Sequence, residues 1–233
     1  MPKPFEKWTV LPHGPIEKLE DNLWRVEGRV DRLRRVMVVV RLADGRLVIW
    51  NGIALEEPAM KELEAWGTPA FLVVPNGMHR LDARIWKQRY PQLRVITPPG
   101  ARKRIEEIVP VDATAADFGD PRVTLSFAAC TGEREALLEV KHAAGTTVVL
   151  NDLVMNMRHA PGFAGLLFRV MGFTSDKPKV APATKLVLIK DKPGLKTLLQ
   201  QLAAIGDLKR VIVSHGDPIT DAPAEALRQA AGL

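Results

Sequence analysis

Cysteine occurs once in the 233 residues, tyrosine once and histidine five times. A lone Cys130 excludes an internal disulfide framework and a structural zinc site built on several thiolates. No run approaches the roughly 20 apolar residues that span a bilayer. The opening MPKPFEKWTV lacks the basic region and apolar stretch of a secretory signal, so the expectation is a soluble, cytoplasmic chain. Aromatics make up only 6%, and they do not interleave with the basic groups (Arg32, Arg34, Arg35; Arg102, Lys103, Arg104; Lys185, Lys190, Lys192). A stacking platform for single-stranded nucleic acid is therefore absent, and nucleic acid is a disfavoured partner despite a formal charge of +6. Glycine-rich phosphate loops and a Gly-x-Ser-x-Gly elbow are also missing. Five histidines cap the size of any imidazole metal site.

What is present suits one domain over residues 1–233, because a chain this long with 46% apolar residues can bury a substantial core. LWRVEGRV at 23–30, the β-branched VMVVVRL at 36–42 and LVIW at 47–50 predict a meander with its middle strand buried on both faces. A helix is expected over 56–66, with Met60, Leu63 and Trp66 on one stripe and Gly67 as its stop. FLVVP at 71–75, helix at 82–89, a short strand at Val95-Ile96 and a short helix at 101–107 follow. The second half repeats the style with strands at 123–130, 136–142 and 146–151. After them come a hydrophobic helix at about 163–172, a polar exposed connector at 173–185, and a helix at 192–205. A buried strand at 210–215 and a last helix at 222–231 complete it. Strands first and helices after, twice over, fit an α/β (α+β) four-layer αββα sandwich with pseudo-twofold halves. A Rossmann-like open sheet is the alternative.

Chemistry in layered folds gathers where strands end. Four such ends carry polar residues: Pro75-Asn76-Gly77-Met78-His79-Arg80-Leu81-Asp82, Cys130-Thr131-Gly132-Glu133, Asn151-Asp152 and Ser214-His215-Gly216-Asp217. His79, Asp152 and His215 are candidate metal ligands, since a site needs imidazoles and carboxylates converging from several segments. Asp152 follows an apolar strand, where an unpaired carboxylate would be costly. Asp82 reads equally as a carboxylate at a helix N-terminus. Glu133 reads equally as an exposed turn residue, His159 is a reserve ligand, and His13 and His142 read as structural. Cys130 reads as a small core residue. Ser214, adjacent to His215, gives diverging side chains and a poor nucleophile–base pair.

In this order the four segments resemble the metallo-β-lactamase fold superfamily over about residues 22–219. There a strand ends in His-x-His-x-Asp-His, a turn reads Gly-His, a strand ends in an acid and a last strand delivers a His. Here Asn76, Met78, Arg80 and Leu81 fall on the first motif and Glu133 on the second, while Asp152 and His215 match outright; a one-residue shift puts His79 on the second histidine but leaves Gly77 and Leu81 at two ligand positions, where they cannot serve. PNGMH at 75–79, NDL at 151–153 and SHGDP at 214–218 are similar to an uncharacterised branch of that superfamily, a domain of unknown function.

The resemblance implies metal-assisted hydrolysis. Two ions would need about six donors, at three per catalytic ion, and would exhaust every candidate. One ion (zinc, or else manganese or iron) held by His79, Asp152 and His215, with water in the fourth position, is the economical arrangement. The expectation is thus a mononuclear hydrolase of a small ester or phosphoester, with Glu133 or Asp82 as base. The alternative is a metal-free member that uses the remnant cleft to bind a ligand or partner.

Overall fold

A computed structural model of the chain describes residues 3–31, 33–159, 162, 169–170 and 174–232. Arg32 and, apart from residues 169–170, the helix expected at 163–172 lie outside the described residues.

Strands β1 (Glu17–Glu20), β2 (Leu23–Val30), β3 (Leu33–Arg41), β4 (Arg46–Trp50), β5 (Thr68–Val73) and β6 (Arg94–Ile96) form a sheet in that order. The first four run antiparallel, and β4, β5 and β6 run parallel. Helix α1 (Glu57–Trp66) makes the crossover from β4 to β5, and α2 (Ala83–Arg89) the next one. A short α3 (Arg102–Glu106) follows β6. In the second half β7 (Val123–Phe127), β8 (Ala136–His142) and β9 (Gly145–Leu150) are antiparallel, and β10 (Leu208–Ile212) lies parallel to β9. Helices α4 (Pro182–Val187) and α5 (Lys192–Ala203) lie between those last two strands in sequence, and α6 (Pro223–Ala230) ends the chain. Each half is therefore an antiparallel meander continued by a parallel strand reached through helix.

The layers follow from which way alternate side chains point. On β3, Met37 and Val39 join a core with Met60 and Leu63 of α1 and Ile85 and Trp86 of α2. Val36, Val38 and Val40 point the other way and meet Leu138, Val149 and Ile212 of the second sheet. In that sheet Leu137, Val148, Leu150 and Val211 face α5 and α6 through Leu199, Leu202 and Leu227. A strand packed on both faces cannot alternate apolar with polar, which is why VMVVVRL reads as an unbroken apolar run. The result is the helix–sheet–sheet–helix sandwich, with two mixed sheets of six and four strands. On α1 the stripe is as expected: Met60 and Leu63 are buried, and Trp66 stacks on Trp24 with centroids 3.8 Å apart.

Two local features differ from the expectation. β1 (EKLE) is too polar to be seen by pattern and forms by edge pairing to β2. The segment read as an exposed connector contains α4, opened by Pro182 in its first turn, with Val180, Ala181 and Thr184 buried. A proline there needs no N–H partner and starts the helix at no cost.

The two sheets are tied at the far edge by Asp120. Its carboxylate accepts from the backbone N–H of Ala43 at 2.8 Å, from the N–H of Arg122 at 3.0 Å and from the Arg122 guanidinium at 2.8 and 3.1 Å. The guanidinium bond above all, with the two N–H bonds, holds this carboxyl down at about 2 against the opposing effect of burial. A carboxyl with a depressed folded value stabilises above its ordinary value of about 3.9 and ceases to as pH falls through the folded one. We expect Asp120→Asn to lower stability by about 1.5–3 kcal/mol at neutral pH, the usual worth of hydrogen bonds to a charged group. Urea midpoints measured from pH 7 to pH 3 should show that deficit constant above pH 5 and shrinking below pH 4. A deficit that does not change with pH would refute the assignment.

Candidate metal centre

Parallel pairing sets Asp152 beside His215. The last paired residues of β9 and β10 are Val149 and Ile212, and each chain runs on three residues to the acid and the imidazole. The step before them is also matched, because the buried Ser214 hydroxyl donates to Asn151 Oδ1. Ser214 is thereby turned away from His215, as the sequence suggested. His79 arrives from the other sheet. Beyond β5 the Asn76 side-chain oxygen accepts the N–H groups of Met78 and His79 at 2.8 and 3.0 Å, curling the loop back on itself. Such short-range side-chain bonds are what asparagine contributes to turns.

At the junction, Asp152 Oδ1 lies 3.2 Å from Nε2 of His79 and 3.2 Å from Nε2 of His215. The ligand-capable atoms of the three residues all lie within 4.8 Å of one another. They form the one such group of His, Cys, Asp and Glu among the described residues. Zinc bonds of about 2.0–2.2 Å in a tetrahedron set neighbouring ligand atoms roughly 3.3 Å apart, so the two short separations fit a shared ion. The second nitrogen of His215 is also committed: Nδ1 donates to the Arg34 carbonyl at 2.6 Å. A metal-binding histidine has the same arrangement, its far N–H anchored on a carbonyl so that the other nitrogen faces the ion. Burial pushes the His215 imidazole down, but its hydrogen bond to the Asp152 carboxylate and that group's charge outweigh this and raise it. Burial likewise pushes Asp152 up, yet the two imidazoles hold it well below the usual carboxylate range.

Asp152 Oδ2 is occupied by a different group. The Asn76 amide donates to it at 2.7 Å and to Glu135 Oε2 at 2.8 Å, while the Asp152 N–H donates to Glu135 Oε1 at 2.6 Å. Glu135 is fully buried, and its burial beside the Asp152 charge lifts its carboxyl well above the usual range against those hydrogen bonds. Neither Glu135 nor the organising role of Asn76 was anticipated. Asn76 stands where the resemblance puts a histidine, and here its amide hydrogen-bonds Asp152 instead.

The structure does not bring Glu133 to this cluster. It sits exposed in a turn with φ of 53°, and Glu135, just before β8, is the buried acid instead. Asp82 does reach the neighbourhood, lining the same cavity as the three residues. It forms a buried ion pair with Nη1 of Arg35, and its other oxygen accepts the Ala54 N–H at 3.1 Å. Burial raises its carboxyl against the pull of Arg35. His159 bonds the Thr174 hydroxyl at 2.7 Å, His142 the Thr147 hydroxyl at 2.9 Å, and His13 the Gly14 carbonyl at 2.7 Å, none of them at the cluster. Cys130 is buried, which pushes its thiol up.

The cluster opens into a cavity of about 440 Å³. Its walls are mostly apolar, from Val30 and Leu33 of the β2–β3 hairpin, Leu81, Met155, and Val187 and Leu188 at the end of α4.

No protein-family model matches the chain, and no curated protein matches it significantly in sequence. Among solved structures it is similar to the metallo-β-lactamase FIM-1 from Pseudomonas aeruginosa in its mono-zinc form. That match has a TM-score of 0.63 and 10% identity, and it covers 96% of each chain. A metallo-β-lactamase from Hirschia baltica gives 0.60 at 12% identity, over 94% of this chain and 98% of that one. The metallo-β-lactamase DIM-1 gives 0.63 at 13% identity, over 96% of this chain and 99% of that one. The chain has the metallo-β-lactamase fold.

Backbone as well as side chains hold His215 in place. Gly216 has φ of 121°, and a Cβ there would overlap the carbonyl of Asn156. That carbonyl accepts the Asp217 N–H at 3.1 Å, while the Asn156 N–H donates to the His215 carbonyl at 3.2 Å. We expect Gly216→Ala to cost more than about 2 kcal/mol, since positive φ and a backbone clash are combined. Thermal or urea unfolding measures this, and a change within about 0.5 kcal/mol would show that the clamp is dispensable.

Proposed function

We propose that this metallo-β-lactamase-fold chain is a hydrolase that works with one divalent ion, zinc, on a small ester or phosphoester. The observation that carries this reading is the convergence of His79, Asp152 and His215 on one point at the floor of a cavity. Three protein ligands with a position left for water is the composition of catalytic rather than structural zinc. A solved relative in fold, described in a mono-zinc form, supports a single ion on this scaffold.

A bound zinc ion lowers the pKa of its water toward neutrality and polarises a substrate carbonyl or phosphoryl oxygen. The protein's part is to present its donors in the correct state. The Arg34 backbone carbonyl accepts the hydrogen bond from Nδ1–H of His215, so Nε2 is the nitrogen left to donate its lone pair. Asn76 and Glu135 fix Asp152 through Oδ2 and the backbone, leaving Oδ1 as the ligand atom. The apolar walls limit how much bulk water surrounds the reacting group, which strengthens electrostatic interactions inside. Asp82 anchors Arg35 at the cavity wall, and Glu133, out on its turn, takes no part.

The test is metal content. After chelation and dialysis the 233-residue chain should rebind about one equivalent of zinc. His79→Ala, Asp152→Asn and His215→Ala should each weaken binding by more than about 100-fold, and Asn76→Ala, an indirect support, by about 10- to 100-fold. His142→Ala and His159→Ala should leave it unchanged. Hydrolysis of a nitrophenyl ester or phosphoester should fall in the same order. Trace metal only, with neither zinc nor manganese rebinding, refutes the reading.

A further inference from the structure

The mechanism uses the floor of the cavity, and one buried cation on its wall is left over. Arg35 lines the cavity and is only 7% exposed. Its Nη1 is taken by Asp82, while Nε and Nη2 are buried without a partner among the described residues. Unmade hydrogen bonds of a buried charged group are expensive, and each such group in a native fold calls for a reason. Nε and Nη2 form the side edge of the guanidinium, the edge that donates two parallel bonds to one carboxylate or phosphate. The other cavity walls are mostly aliphatic, and the apolar character continues to the mouth. Leu33, Met78 and Val187 both line the cavity and stay exposed, and Leu186 beside them is exposed as well. Exposed apolar side chains grouped around a concave site mark a ligand surface rather than ordinary surface scatter.

We propose that the molecule taken by this cavity is an anionic amphiphile: an aliphatic or aryl group against Leu33, Leu81, Met155 and Val187, and an oxyanion, carboxylate or phosphate, on the side edge of Arg35. Both nitrogens are covered as the side chain stands, so engaging the anion turns the guanidinium toward the cavity while Nη1 keeps Asp82. The anion is then a recognition group, distinct from the bond cleaved at the His79–Asp152–His215 floor. In naming a substrate class, this rests on the hydrolase reading above. As a statement about binding it is tested separately.

The probes are sodium octanoate, octyl phosphate, octan-1-ol, acetate and inorganic phosphate. They are titrated calorimetrically into the 233-residue chain, both chelator-treated and zinc-supplemented. Working without zinc removes the metal as a competing anion site. Octanoate or octyl phosphate should bind at least tenfold more tightly than octanol, and also more tightly than acetate or inorganic phosphate. The tighter of the two identifies the source of the oxyanion. Arg35→Lys keeps a cation for Asp82 but loses the two-donor edge. It should cost the octyl anions at least tenfold and leave octanol unchanged. Ala183→Phe, which fills the cavity from α4, should abolish binding of all octyl probes. Octanol binding as tightly as octanoate, acetate binding as tightly as octanoate, or Arg35→Lys without effect on the anions each overturns the proposal, the first without any variant having to fold. Zinc titration on the same samples separates the two readings. Zinc bound with no octyl binding removes the amphiphile and keeps the metal centre. Anion preference with no zinc binding removes the hydrolase and keeps the binding site.

Discussion

A carboxylate shut away from water must be neutralised, and the centre of this molecule is arranged around doing that for Asp152. Its partners come from everywhere the chain could supply them. Asn76 and His79 follow β5 in the first sheet, His215 follows β10 in the second, and Glu135 precedes β8. The sheets are locked at the same place, where the Ala136 N–H donates to the Pro75 carbonyl at 2.9 Å. Remove the charge and the pull on both imidazoles goes with it. Remove an imidazole and a buried anion is left short of a partner, the costliest way to break such a cluster. Hydrophobic burial makes the sandwich, but it is the neutralisation of Asp152 that fixes how the two halves meet.

Much of this was legible in the chain beforehand, and the legible parts share a property. The double-faced burial of β3, the strand ends at Asp152 and His215 and the helix stripe of α1 are all written in local periodicity. His79, Asp152 and His215 were singled out because each followed a strand end, and the sandwich brings those ends to one edge. What could not be read depends on another element's position. Glu133 and Glu135 have the same side chain two residues apart. Only the positive φ at Glu133 and the arrival of Asn76 from the other sheet decide that the second is the buried one. Arg35 looked like part of a basic surface group until α2 placed Asp82 against it. α4 is six residues long within a polar segment, too short for its period to show.

The shortage of histidine takes on a definite meaning at Asn76. The amide there has protein partners on every side: two backbone N–H groups on its oxygen, two carboxylates on its nitrogen. A side chain so fully engaged shapes the loop, at a position where the resemblance puts a histidine of the motif. Met78 and Leu81, at two further positions of that motif, instead line the cavity. His79 of the cluster and the apolar Met78 and Leu81 of the cavity wall therefore come from one loop.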